Sequence, residues 1–163
     1  MPVAEPTYAA LALTSPPERS EAGVEARRVE SFDEFTAAGE ITHDAFGHPE
    51  EMRASWRETR PLLYELEQQD VSATYLAFVD SQPVAAATAV FAQAGVMLLG
   101  GATLPQARGR GCYRALVQAR WDDAVRRGTP ALVVQAGQMS RPILERLGFS
   151  FVSQLWVLVD ELE

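Results

Sequence analysis

Apolar and polar positions along residues 24–163 switch between a period near two and a period near 3.6, and the order of the switches reads β-α-α-β-β-β-α-β-α-β. Val24 to Glu30 has strand character. Ser31 then stands as a helix N-cap with Glu34 three residues on, the reciprocal arrangement that satisfies two orphan amides at a helix start. Phe32, Phe35, Ala38 and Ala45 give the run to Phe46 a helical spacing, and Gly47 and Pro49 close it. Met52, Trp56, Leu63 and Leu66 predict a second helix over residues 50–69, which Pro61 is expected to kink or divide. Beyond Asp70 come three short strands, 74–79, 84–92 and 96–103, joined by Asp80-Ser81-Gln82-Pro83 and Gln93-Ala94-Gly95. They predict an antiparallel meander. Gly109 to Arg127 predicts a long helix with Arg110, Arg114, Gln118, Asp122 and Arg126 toward solvent and Cys112, Leu116 and Ala119 toward the core. Ala131 to Gln135 is an apolar strand, and a helix between two strands implies parallel pairing through a right-handed crossover. Ser140 to Leu147 predicts a short helix stopped by Gly148, and Phe149 to Val159 a closing strand with a bend near Ser153. The fold class is mixed α/β: a central, mixed, mostly antiparallel sheet with helices on both faces.

Residues 1–23 differ from the rest and read as an N-terminal arm ahead of one domain over residues 24–163. Thr7 to Leu13 is apolar enough for one short strand, with a floppy tail as the other reading, while Ser15-Pro16-Pro17 through Gly23 has linker chemistry. An open sheet edge invites another strand. The arm is therefore expected to be an ordered edge strand, of its own sheet or of a second copy in a homodimer.

Composition narrows the function. The 163 residues suit one domain with a real core. The formal net charge of −8 disfavours nucleic acid, whose phosphates need clustered cations, and favours a cationic partner such as an amine. All fourteen basic residues are Arg, with no Lys and no Asn, which reads as the codon bias of a GC-rich bacterial genome. Cys112 is the only cysteine, so no internal disulfide forms. His43 and His48 lack a third ligand, so no metal is expected. The N-terminus does not read as a signal peptide and no apolar run reaches the length of a membrane span. A cytoplasmic protein is the expectation.

The segment with the most chemistry is Thr103-Leu104-Pro105-Gln106-Ala107-Arg108-Gly109-Arg110-Gly111-Cys112-Tyr113. A strand ends, the chain turns through two glycines, and a helix begins. The first amides of a helix have no intrahelical partner and the helix dipole adds partial positive charge there. Glycine lets an anion approach the backbone, and Arg108 and Arg110 add full charges. A diphosphate suits such a site. The segment lacks the Lys of a Walker loop and the third Gly of a dinucleotide fingerprint.

In this context, after three antiparallel strands and before a parallel one, the segment resembles the pyrophosphate motif of the GNAT superfamily of acyl-CoA-dependent N-acyltransferases. That motif is Arg or Gln, two residues, Gly, one residue, then Gly or Ala. Arg108 and Gly111 match, and Tyr113 departs from it. Ser140 to Phe149 resembles the family's late helix with its Leu-Gly-Phe ending. The resemblance covers residues 24–160. It implies N-acetyl transfer from acetyl-CoA to the amine of a small molecule or peptide, with acyl-CoA and the amine as partners and no membrane involved. It implies cofactor contacts at Ala102, Thr103, Leu104, Arg108, Gly109, Arg110, Gly111, Cys112, Tyr113 and Ser140, with the amides of Ala102 to Leu104 pairing with the pantetheine arm. The family's Tyr acid falls at Leu144 here, and the Asn before that helix is replaced, with Ser140 as a substitute and a weak catalytic candidate. His43, His48, Glu50, Glu51 and Tyr64 are candidate proton acceptors, and Gln135 and Gln138 candidate liners of the acyl end. Two other readings stand beside this one: a catalytically weak or inactive CoA-binding sensor, and a domain from a longer tandem chain.

Overall fold

The computed structural model describes residues 8–19 and 23–156. Seven strands form one sheet: β1 (Tyr8–Leu13), β2 (Glu25–Arg28), β3 (Ser72–Val79), β4 (Gln82–Ala92), β5 (Gly95–Thr103), β6 (Leu132–Ala136) and β7 (Ser150–Leu155), in the order β2-β3-β4-β5-β6-β1-β7. The β3–β4–β5 meander is antiparallel as expected, and β5 pairs with β6 in parallel. The helices are α1 (Phe32–Phe46), α2 (Glu50–Glu67), α3 (Cys112–Arg126) and α4 (Arg141–Arg146). The end of the predicted last strand, from residue 157 on, lies outside the described residues.

Local chemistry explains the helix pair. Ser31 accepts the Glu34 N–H at 3.2 Å, and Glu34 reaches back to the Glu30 N–H at 2.8 Å. Glu34 also forms a forked pair with Arg27 at 2.7 and 2.9 Å, which holds its carboxyl below the usual range. α1 ends on Gly47 in the left-handed region at φ 64°. Pro61 does not divide α2, which runs unbroken through it. None of the residues of α2 is fully buried. It rests mainly on α1, where the Trp56 indole occupies the space that a side chain at position 39 would need.

Alternation along the strands divides the core. Ala73, Tyr75, Ala77, Ala85, Ala87 and Ala89 pack with Leu116, Val117, Trp121 and Ala124 of α3, while Leu76 and Ala86 meet Ala38 and Ile41 of α1. Helices therefore cover both faces.

The N-terminal strand is a correction. Tyr8–Leu13 is not an edge strand: it lies between β6 and β7, antiparallel to both. Ala9, Leu11 and Leu13 are buried, and Ala10 and Ala12 half-buried. Apolar residues on both faces suit an inner strand, and an edge would leave one row of its amides unpaired.

α3 also holds polar groups that helical periodicity did not assign to the core. Asp123 is 3% exposed and accepts from the Tyr75 hydroxyl, from Arg28 Nε at 2.6 Å and from Arg126. This ties β2, β3 and α3 together. Asp123→Ala leaves the buried Tyr75 hydroxyl without its acceptor and Arg28 with Asp70 alone, which should cost about 2–3 kcal/mol. A thermal melt should show a fall of roughly 5–10 °C. A melting point unchanged within a degree would mean that the network contributes nothing to stability.

Candidate functional site

β5 runs beside β4 as far as Thr103 but beside β6 only from Val96 to Leu98. The divergence starts at a bulge. Leu99 pairs with Thr88 and Gly101 with Ala87, so Gly100 is the extra residue, at φ 48°. β6 meanwhile continues along β1, with Ala136 opposite Ala9. A gap therefore opens between the end of β5 and the end of β6. The Leu104 N–H donates to the Val84 carbonyl at 2.9 Å. By antiparallel alternation Ala102 also turns its backbone toward β4, whereas Thr103 and Gly101 turn theirs toward the gap. Of the three amides expected to face the gap, only that of Thr103 does so, and Gly101 joins it.

The chain leaves β5 through one turn of 3-10 helix, Pro105–Ala107, and enters α3 through Gly109 and Gly111, at φ 76° and 82°. Both glycines hold conformations that L side chains rarely adopt. Nothing lies within 4 Å of where a Cβ on either would sit, so the space above the turn is open. Gly111 is the helix cap and offers no side-chain bond, and the ladder begins with the Ala115 N–H on the Gly111 carbonyl at 3.0 Å. The amides ahead of Ala115 are thus left for another acceptor. Arg108 is exposed and folds back to the Thr103 carbonyl at 3.4 Å, and Arg110 is exposed near Asp80 at 3.9 Å. Cys112 is buried, and burial pushes its thiol pKa up, so it serves as a small core residue. Tyr113, the departure from the motif, lays its ring across Gly101: a Cβ on Gly101 would stand 2.5 Å from the ring. The ring thus takes the volume that Gly101 leaves free and stays out of the turn.

Beneath the bulge lies a group that the sequence reading missed. Arg120 is 1% exposed; its Nε donates to the Leu116 carbonyl at 3.0 Å and one terminal nitrogen to the Thr88 carbonyl at 3.2 Å. Among the described residues no carboxylate meets it, and its other terminal nitrogen has no partner. Burial draws its pKa down to about 10, which leaves it cationic at neutral pH. The guanidinium thus holds the residue opposite the bulge. The available signal was spacing: Arg120 follows Leu116 by four residues and so shares its core-facing side.

On the other face of the sheet a cleft of about 490 Å3 lies between the helix pair and β3–β4. Phe35, His43, Trp56, Glu67, Thr74 and Thr88 are among its walls. His43 is 6% exposed, meets the Trp56 ring edge-on at 5.0 Å, and shares a hydrogen bond of 2.9 Å between its Nδ1 and that of His48. Desolvation, with the neighbouring His48, holds its pKa below the ordinary imidazole value. Its Nε2 has no partner among the described residues. The other proton-acceptor candidates do not converge on the cleft: Glu50 pairs with Arg57, Glu51 is exposed, and Tyr64 packs on Phe32 and Phe35. A larger depression, about 650 Å3, lies by β2 and the β3–β4 turn, away from the bulge, and its Arg27 and Glu34 are committed to each other.

α4 forms where expected, over Arg141–Arg146 between Ser140 and Leu147. Ser140 donates to the Gly137 carbonyl at 3.4 Å, and Leu144 is fully enclosed in the core. Gln135 and Gln138 are exposed. A Tyr at position 144 would overpack this closed site. Leu144→Tyr should therefore destabilise by about 1–3 kcal/mol. A denaturant titration checks this, and a variant as stable as the parent would show that the pocket around Leu144 yields.

No protein-family model matches the sequence, and no curated protein matches it. Solved structures do. A GCN5-related N-acetyltransferase from Ralstonia eutropha JMP134 aligns with a TM-score of 0.65 at 18% identity, over 84% of this chain and 99% of its own. One from Kribbella flavida aligns at 0.64 and 23% identity, over 89% of this chain and 54% of its own. A structure described as a predicted acetyltransferase with acetyl-CoA, from Clostridium acetobutylicum, aligns at 0.61 and 13% identity, over 84% of this chain and 96% of its own. The chain thus spans about half the length of the Kribbella protein and nearly all of the Ralstonia one. The chain has the fold of the GCN5-related N-acetyltransferases.

Proposed function

We propose that this protein is an N-acyltransferase that moves the acetyl group of acetyl-CoA to an amine. The observation that carries the reading is the gap between β5 and β6 with an anion-receptive turn at its mouth. The diphosphate of the cofactor would accept from the amides of Gly109 to Tyr113, with the dipole of α3 and the exposed Arg108 and Arg110 adding positive potential. The pantetheine arm would lie in the gap and pair with the outward backbone groups of Thr103 and Gly101, as an added strand does. Ser140 would stand near that arm, with its hydroxyl oxygen still free to accept a hydrogen bond while it donates to Gly137. The solved Clostridium structure with acetyl-CoA supports the choice of cofactor.

The chemistry is direct attack. The amine nitrogen forms a bond to the thioester carbonyl carbon, the C–S bond breaks, and the nitrogen loses a proton as the departing thiolate gains one. The products are the N-acetyl amine and CoA thiol. The enzyme contributes orientation and the binding of the cofactor's charges. Leu144 carries no hydroxyl, so the thiolate takes its proton from water. Calorimetric titration with CoA and thiol release from acetyl-CoA in the presence of amines test the reading. Saturable CoA binding with amine-dependent thiol release supports it, and the absence of CoA binding overturns it.

A further inference from the structure

The cleft between the helix pair and β3–β4 is shaped for a ligand of definite chemistry. Its volume of about 490 Å3 lies in the range of small-molecule sites, roughly 300–1,000 Å3. Apolar side chains dominate its walls. Leu63, Leu66 and Val71 are 41%, 42% and 55% exposed along it, apolar surface left uncovered by the protein itself.

Its charge is equally specific. Among the described residues Glu67 is the one charged side chain in the lining; Arg60 stands outside it, over the Trp56 ring at 5.5 Å. The Glu67 carboxylate is fixed by the Thr74 N–H at 2.8 Å and the Thr74 hydroxyl at 2.7 Å, and its oxygens have further lone pairs for a ligand donor. A ligand carboxylate in this cleft would find no cation in the lining, and a polyamine would bring several charges to one partner. His43 adds a neutral polar wall.

The cleft ends one strand away from the gap. Thr88 lines it, and Thr88 is the residue opposite the bulge from which β5 and β6 diverge. On the acyl-transfer reading, an amine held here lies one strand from the place where the gap begins. We infer that this cleft is the acceptor site and that it selects a compact monoamine with an apolar body over amino acids and polyamines.

The test compares three acceptors in thiol release from acetyl-CoA: 2-phenylethylamine, phenylalanine and spermidine. The first two share a body and differ by a carboxylate. 2-Phenylethylamine should exceed both others in kcat/KM by about tenfold or more. Leu63→Arg places a cation on a half-exposed wall, where the fold tolerates it. It should lower kcat/KM for 2-phenylethylamine by about tenfold, narrow its lead over phenylalanine, and leave CoA affinity within about twofold. Phenylalanine or spermidine at or above 2-phenylethylamine in the parent protein overturns the inference while acyl transfer stands. So does a Leu63→Arg variant with unaltered preference. If CoA binds and none of the three is acetylated, equilibrium dialysis of 2-phenylethylamine against the CoA-loaded protein decides. Binding weakened by Leu63→Arg supports the cleft, and no binding overturns it. Failure to bind CoA removes both readings together.

Discussion

Removal of residues 1–13 should abolish the cooperative fold. β1 is paired along both edges, with β6 on one side and β7 on the other, so its loss breaks two ladders at once. It also strips Leu11 and Leu13, 1% and 2% exposed, from the core. Full burial of a Leu side chain is worth about 1.5–3 kcal/mol, so the two alone account for roughly 3–6 kcal/mol. A domain of this size is stable by only about 5–15 kcal/mol, and the exposed edges of β6 and β7 add an aggregation hazard. The shortened chain should show no cooperative thermal transition by circular dichroism and should precipitate on expression. A milder variant, Leu11→Ala, should still fold and lose about 2–5 kcal/mol in a denaturant titration. A shortened chain that melts within a few degrees of the parent would show that β6 and β7 close the sheet without β1.

The contrast between β1 and the meander shows what the sequence made legible. Each strand of the meander is joined to its neighbour by a tight turn, so order along the chain and order in the sheet coincide. The capping box at Ser31 and the glycine turn at residues 109–111 are local in the same sense, and both formed where spacing placed them. β1 pairs with strands more than a hundred residues away, and no local pattern encodes which of two open positions it takes. Its apolarity on both faces was the clue to an inner place.

Arg120, Leu144 and the cleft were harder to read for a related reason. Arginine is ordinarily a surface residue, and the carbonyls of Leu116 on its own helix and of Thr88, opposite a bulge on another element, make a buried place for it. The resemblance placed Leu144 at a position that carries a hydroxyl in the family, whereas here the side chain belongs to the core. The cleft depends on how α2 leans on α1, and that is set by the Trp56–Gly39 contact across seventeen residues. The turn was readable because backbone amides, rather than distant side chains, define it.

That turn carries the second large prediction: Gly111→Asp should weaken CoA binding by at least about tenfold. Two effects act together. Gly111 sits at φ 82°, so any L side chain there is strained, by about 1–2 kcal/mol. The side chain would also project into open space, with nothing within 4 Å, where the proposed diphosphate lies. A carboxylate beside a diphosphate adds repulsion between like charges where the helix dipole and the arginines supply attraction. Gly111→Ala isolates the first effect, since it carries the same backbone strain without the charge. Calorimetric titration of CoA should therefore rank the parent tightest, Ala intermediate and Asp weakest. The interval between Ala and Asp should shrink as salt rises, because exposed charges are screened over about 10 Å at 0.1 M ionic strength. Equal affinities for all three folded proteins would mean that the turn binds no anion, and the acyl-transfer reading would lose its cofactor site.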